Sequence, residues 1–371
     1  MSHILFISHS RSMHGAETVM IQAVKACVAR KARVTVVVPS IVPDEGLEKA
    51  LSSIHGVQIL PLPYRAAGGN MLRTHIVRLY NLGAMNALVR YIKQEQVSAI
   101  YSNTCVSILG AELAHRTNTR HIWHWHESVD ERFGWHFTLT KYYQRLVNYT
   151  DTLVFISQHQ LDEWEKTLQL NLSKARVIYN PVKPITPKPE GNLISKQGIC
   201  IGFIGHFEER KNLPLLLQTF VSLHAKEPKT RLRLCGATGK RDYTYIQHIT
   251  DLHEPDLTIL PQTTDVTQFY RDIDILVLPS WRETMPLVVL EAMQAGVCVL
   301  QTNRSYMTEL LEGGKETLFF SPDKPEELEQ LLLLCMDEEF RRSIAKAGQK
   351  KALQLVQNQS FDEQIATLLC E

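Results

Sequence analysis

Two glutamates, Glu283 and Glu291, stand with seven residues between them in an otherwise apolar run, PSWRETMPLVVLEAMQAGVCVL (279–300). An unpaired buried carboxylate is costly, so each needs a partner or a ligand. Two neighbouring carboxylates could serve as the acid and base of a hydrolase. The local signals separate them instead. An apolar strand over 274–280 ends at Pro279, Ser280 to Glu283 form a loop, Pro286 fits a first helical turn and Gly296 a C-terminal cap. Glu283 is then a loop ligand and Glu291 a helix ligand. One carboxylate accepts two hydroxyl hydrogen bonds, which suits a ribose diol, and a loop carboxylate beside free amides suits sugar hydroxyls. An exposed helix face would also accommodate Glu291, but its neighbours Leu290, Ala292 and Met293 argue against full exposure.

A second constellation precedes it. In IGFIGHFEERKNLPLLLQTF (201–220) an apolar strand ends on Gly205, basic residues follow, and a helix begins. Ligands of open α/β sheets sit beyond the carboxyl ends of strands, where helix N-termini offer amides to anions. Lys211 is positioned to reach a diphosphate there, and Arg210 beside it reads equally as a solvated side chain.

These segments lie in a repeating pattern of short β-branched runs and helical stretches. The first half offers strands at 3–8, 33–38, 57–62, 99–102, 121–126, 152–157 and 176–180, and the second at 198–205, 231–236, 257–261, 274–280 and 297–302. Helices are expected at 17–30, 213–225, around 243–252 and 286–295, and throughout the tail from Lys324. The stretch NPVKPITPKPEGN (180–192) holds four prolines and reads as a linker. Two doubly wound α/β units are therefore predicted.

Length and composition agree: 371 residues exceed one ordinary core, and the overall charge is nearly balanced at +1. Residues 1–184 nonetheless carry 20 Lys and Arg against 13 Asp and Glu, and residues 185–371 carry 20 against 26, so the first half is suited to an anionic surface or substrate. Seven scattered cysteines with no C-x-x-C pair read as reduced thiols, and the absence of a basic leader or an 18-residue apolar run disfavours secretion and membrane spanning.

The second half resembles the nucleotide-sugar domain of family 4 glycosyltransferases, retaining enzymes of the GT-B fold. Glu283 and Glu291 form an E-x7-E signature followed by EAMQAG; GHFEERKN (205–212) is similar to G-R-L-x-x-x-K-N, with His206 where arginine is usual. RLCGA (233–237) with Gly236, YRDIDILVLPS (270–280) and VIYNPV (177–182) follow the family's order. The first half resembles the family through SHSRSMHGAETV (8–19), where Gly15 and Glu17 match and His14 replaces a glycine, and through HIWHWHES (121–128), with His126 and Glu127 in register.

The resemblance implies two Rossmann-like domains facing a cleft: an acceptor domain over 1–182, a donor domain over 183–355 and a terminal helix over 356–371 crossing back to the first. It implies transfer of a hexosyl unit, with retention, from a nucleoside-diphosphate sugar such as a UDP- or GDP-sugar to a hydroxyl of a glycan or lipid-linked acceptor, in cell-envelope polysaccharide or lipopolysaccharide synthesis. Lys211, Glu283 and His126 would act at the reaction centre. Gly15, Gly205, His206, Arg210, Gly236, Thr284, Met285, Leu287 and Glu291 would complete the donor site, and His14, Glu127 and Trp135 would face the acceptor. Neither metal nor cofactor is required. The enzyme is expected in the cytoplasm, including the inner face of the cytoplasmic membrane, without a nucleic-acid partner.

Other readings compete with parts of this one. His124 and His126 would share one strand face, as metal ligands do, but lack a third ligand at a suitable spacing. Asp272 and Asp274 resemble a metal-binding D-x-D, yet stand at the entrance of a strand instead of its exit. The segments 64–93 and 132–145 mix basic with apolar or aromatic residues, compatible with a membrane interface or with a core-facing helix whose basic face is solvated. A nucleotide-sugar epimerase and an inactive nucleotide-sugar-binding protein are the alternatives in function. A dehydrogenase is disfavoured because the first loop lacks G-x-G-x-x-G.

Overall fold

A computed structural model describes residues 2–44, 46–67, 71–129, 140–188, 198–239, 242, 244–246, 256–263, 265–358 and 360–371. The chain divides into two compact units, Met1–Pro181 with Gln359–Glu371, and Val182–Asn358.

The first unit is built on a seven-stranded sheet. Its strands are β1 (His3–Ile7), β2 (Arg33–Pro39), β3 (Val57–Leu62), β4 (Ala99–Asn103), β5 (Arg120–Trp125), β6 (Thr152–Phe155) and β7 (Ala175–Val177), in the order β3-β2-β1-β4-β5-β6-β7. Every neighbouring pair is parallel. The helices between them are α1 (Gly15–Ala29), α2 (Leu47–Ser52), α3 (Met71–Tyr80), α4 (Leu82–Gln94), α5 (Ile108–Thr117), α6 (Thr140–Asn148) and α7 (Gln158–Leu168).

Two-sided burial explains why the central strands read as unbroken apolar runs. Along β1, Ile4 and Phe6 join a core with Val24 of α1, while Leu5 and Ile7 join another with Leu88 of α4 and Leu109 of α5. A third core is aromatic, formed around Trp123, Trp125, Phe155 and Trp164. The chain winds outward from β1 through β2 and β3, then returns to β4 on the other side. The loops after β1 and β4 therefore flank a topological switch point.

The second unit repeats this plan with six parallel strands: β8 (Cys200–Ile204), β9 (Arg231–Ala237), β10 (Leu257–Pro261), β11 (Ile275–Leu278), β12 (Cys298–Thr302) and β13 (Leu318–Phe320), ordered β10-β9-β8-β11-β12-β13. Its helices are α8 (Leu213–Lys226), α9 (Thr267–Arg271), α10 (Leu287–Gln294), α11 (Pro325–Leu334) and α12 (Glu338–Gln357). The switch point lies between β8 and β11, beside the loops that carry Lys211 and Glu283. A last helix, α13 (Phe361–Cys370), buries Phe361, Ile365, Ala366 and Leu369 in the α1 core of the first unit. Arg120 donates to the Leu368 and Leu369 carbonyls at 3.0 and 2.9 Å, satisfying acceptors in that helix's last turn.

Several local expectations change. The tail is three helices: Asp337 caps α12 by accepting from the Phe340 amide at 2.7 Å, and Ser360 precedes α13. β13 and a 3-10 turn over Tyr306–Glu309 arise where the sequence has no apolar periodicity. Pro286 is the N-cap of α10, with ψ at 108°, instead of lying within its first turn. The expected helix around 243–252 falls largely outside the described residues. The described part of the proline segment is fastened, not free: Gln294 donates to the Lys183 carbonyl and accepts from the Ile185 amide at 3.0 and 3.1 Å, and the Lys188 amide donates to Ala295 at 3.1 Å. Prolines supply no N–H, so the interleaved residues make these bonds. No helix among the described residues is long and apolar enough to cross a membrane.

Candidate active site

Two glycine turns open the site in the second unit. The Gly205 amide donates to the Cys235 carbonyl at 3.0 Å, and a Cβ placed on Gly236 would lie 2.0 Å from the Gly205 carbonyl oxygen. With φ at +133° as well, position 236 has room and conformation only for glycine. The ends of β8 and β9 thus approach backbone to backbone beside the β8 loop.

That loop makes a 3-10 turn over Glu209–Lys211, which turns the Lys211 side chain inward. The Trp281 amide donates to the Arg210 carbonyl at 3.0 Å and so ties the loop after β11 to it. Lys211 Nζ then meets Glu283 Oε1 at 2.5 Å, with side chains only 12% and 7% exposed. Ser280 donates to the same oxygen at 2.6 Å, and Arg210 lies 3.9 Å from the other. Burial pulls the Glu283 carboxyl upward, but the charges of Lys211 and Arg210 and the two hydrogen bonds outweigh it and hold the group below its usual range. Burial lowers Lys211, opposed by the Glu283 charge. Glu283 is also fixed through its backbone, its amide donating to Arg304 and its carbonyl accepting from Tyr306, both at 3.2 Å.

Glu291 belongs to a separate network. It is half-buried on α10 between buried Leu290 and Ala292, and its Oε2 accepts from the Tyr270 hydroxyl at 2.9 Å. Burial raises its pKa, while that hydrogen bond and the Lys183 charge act against the rise. The two glutamates are therefore gripped independently, as their different elements predict. Met285 is buried and Thr284 and Leu287 are half-buried where the loop enters α10. His206 is half-buried in the β8 loop, and Arg282 stacks over Tyr306 at 5.6 Å.

In the first unit, His14 is the N-cap of α1 without a side-chain cap bond, and Gly15 opens the helix. Glu17 is fully buried, with Ser10 donating to Oε1 at 2.8 Å and His9 Nδ1 3.0 Å from the same atom. His126 lies just beyond β5, where Nε2 meets Asn103 Oδ1 at 3.0 Å. Burial, reinforced by the charge of His9, depresses its pKa to about 3, so the ring is neutral. Glu127 Oε2 is committed to the Cys105 and His126 amides at 2.9 and 3.1 Å, and the Glu127 carbonyl accepts from Gln160 and Trp164. Its carboxylate fastens the β4 and β5 loops to each other. Trp135 lies outside the described residues.

The histidine run has its own internal uses. His121 pairs with Ser102 and Thr150, and His124 with Tyr101 at 2.6 Å. Among the described residues no group of three or more His, Cys, Asp or Glu is placed to hold a metal. Asp272 accepts from Arg233 at 2.6 Å and Asp274 from the Cys200 amide at 2.9 Å, so both are structural fasteners. Tyr270, His9 and Asn103 escaped the sequence reading because nothing in their spacing marks them as partners of residues at 291, 17 and 126.

Two parallel-sheet α/β units, each wound about a switch point, have the plan of the GT-B class. The model for Glycosyltransferase Family 4 matches residues 13–184 and that for glycosyl transferases group 1 matches residues 185–351, and the chain belongs to this family. An uncharacterized glycosyltransferase of Haemophilus influenzae is 26% identical over 269 residues, 68% of this chain and 74% of that protein. The capsular polysaccharide biosynthesis glycosyltransferase CapM of Staphylococcus aureus is 24% identical over 176 residues, 45% of each chain. Among solved structures, HepE of Anabaena in complex with UDP superposes with a TM-score of 0.78 at 21% identity, covering 100% of this chain and 98% of that one. Its complex with UDP-glucose gives 0.77 at 20% identity, with the same coverage.

Proposed function

We propose that the protein transfers a hexosyl unit from a nucleoside-diphosphate sugar, a UDP- or GDP-sugar, to a hydroxyl of a glycan or lipid-linked acceptor, retaining the anomeric configuration. The carrying observation is the Lys211–Glu283–Ser280 cluster beside the Gly205 and Gly236 turns, with Glu291 held separately by Tyr270. This arrangement offers a cation for a diphosphate and two carboxylates for hydroxyls on either side of it. The UDP and UDP-glucose complexes of HepE support that donor class, and the biosynthetic role of CapM supports a polysaccharide product.

In this reading Glu291 accepts the ribose hydroxyls, Glu283 a donor-sugar hydroxyl, and neutral His126 a hydroxyl near the bond being made. As the bond from C1 to the phosphate oxygen breaks, Lys211 stabilises the charge growing on the diphosphate, with Arg210, His206 and the amides near Met285 and Leu287 assisting. The acceptor oxygen bonds to C1 from the same face, and its proton passes to the departing phosphate oxygen. No metal or cofactor takes part in these steps.

A thermal-shift panel of UDP-, GDP-, ADP- and dTDP-sugars on wild type and Glu291→Ala tests the assignment. At a hundred times Kd a ligand adds about 2.7 kcal/mol, worth several degrees. One nucleotide class should stabilise wild type and leave the variant unmoved. Silence of wild type toward all four, or an equal response of Glu291→Ala, would remove the donor site from these residues.

A further inference from the structure

At the switch point of the first unit one buried amide joins three elements. Asn103, the last residue of β4, is fully buried and stands in register with His124 of β5. Its Nδ2 donates to the Ala16 carbonyl in the first turn of α1 at 3.1 Å, and its Oδ1 lies 3.0 Å from His126 Nε2. A carbonyl oxygen can only accept, so the Ala16 contact decides which end of the amide faces which partner. Turning the amide over would set its oxygen against the Ala16 oxygen, at the cost of a buried hydrogen bond. The atom that meets His126 is therefore an acceptor, and Nε2 must carry the proton. Because the ring is neutral, Nδ1 then holds the lone pair.

The surroundings hold this arrangement in place. Thr104, next in the chain, takes φ of +80°, which a β-branched residue seldom adopts. Two bonds keep it there: its amide donates to the His124 carbonyl and its carbonyl accepts from Trp123 Nε1, both at 2.7 Å. The His124 ring, tied to Tyr101 at 2.6 Å, lies 4.2 Å from the His126 ring, and the His126 amide donates to Glu127 at 3.1 Å. Strain retained by so many contacts is characteristic of places where orientation matters. Nδ1, by contrast, makes no hydrogen bond among the described residues, and His126 is only half-buried. A simple tie between β4 and α1 would need the Ala16 bond alone.

We propose that Asn103 is a positioning residue that selects the Nε2–H form of His126 and so leaves Nδ1 to accept a substrate hydroxyl. The identity of that hydroxyl rests on the glycosyl-transfer reading; the tautomer does not. Long-range proton–nitrogen correlation spectra of the full chain, labelled at its histidine nitrogens and held near neutral pH, read the tautomer directly. The His126 signals are assigned by their loss in His126→Gln. Wild type should show a single Nε2–H form, and Asn103→Leu should move both ring-nitrogen signals toward an averaged mixture. With the donor that stabilises wild type, Asn103→Leu should lower kcat roughly tenfold or more while KM stays within about twofold. In a His126→Ala background the same substitution should change kcat by less than about twofold, as expected of a residue that acts through the imidazole. An Nδ1–H or averaged spectrum in wild type would overturn the proposal, whatever Asn103→Leu does to folding. So would an equal fall in kcat in both backgrounds, the signature of a purely structural tie. The spectrum needs no substrate, which separates failure of this proposal from failure of the donor assignment.

Discussion

In the proposed function Glu291 must be ionised to accept two ribose hydroxyls, and a single hydroxyl tunes that carboxylate. Burial raises its pKa and the Tyr270 bond opposes the rise. Removing the hydroxyl in Tyr270→Phe therefore moves protonation of Glu291 to higher pH. We expect KM for the donor to climb as pH falls, with the climb beginning roughly one pH unit earlier in the variant, the value of one hydrogen bond to a charged group. A purely structural role for Tyr270 would change KM equally at all pH values. Lys211 and Glu283 pose a different question, since each is the other's compensation inside a mostly closed site. Lys211→Ala should cost about 3 kcal/mol in a urea titration by stranding Glu283, and the double variant Lys211→Ala/Glu283→Gln should recover part of that loss. Additive losses would mean that the pair is not coupled in solution.

At the scale of elements, the proposed donor site depends on strand ends meeting closely. Gly236→Ala would set a methyl carbon 2.0 Å from the Gly205 carbonyl and force a left-handed conformation on alanine. The expected cost is about 2–4 kcal/mol, with loss of nucleotide-sugar stabilisation because the β8 turn must move. A crystal structure of the variant with an unmoved Gly205 would contradict this. β5 carries a second element-level liability. Burial lowers His121 to about 3, whereas an unfolded histidine titrates near 6.5. The folded state thus holds the neutral ring, full stability is present above pH 6.5, and it is lost as pH falls toward 3, by about 1.4 kcal/mol per pH unit for this group. His121→Gln should flatten the dependence of urea midpoint on pH between 6.5 and 4, whatever it does to the midpoint at pH 7.

At the scale of the whole molecule, α13 returns to complete the core of the first unit. Deleting residues 360–371 strips Phe361, Ile365, Ala366 and Leu369 from that core, a loss on the order of 5 kcal/mol. Calorimetry should then resolve a destabilised transition for the first unit while the transition of 182–358 keeps its temperature; a common downward shift of both would show that the two units melt as one.

Much of this was legible in the chain. Strands buried on both faces must be continuous apolar runs, so β1, β2, β8 and β11 announce themselves, and ligand loops must follow such strands in an open parallel sheet. Spacing alone was enough to separate Glu283 from Glu291, because a strand end, a proline and a capping glycine mark the element boundaries. What stayed hidden depends on contacts between distant residues. β13 is three residues long and exists because β12 offers it an edge. Tyr270 finds Glu291 because its ring, near the end of α9, reaches α10, where the hydroxyl also meets the Val288 carbonyl, and Glu127 spends its carboxylate on amides because two loops converge there. The sequence by itself determined which segments could be buried and where charged loops would emerge, since those follow from local pattern. Only the tertiary structure decided which charge each group faces, and therefore which carboxylate is held ionised and which histidine is kept neutral.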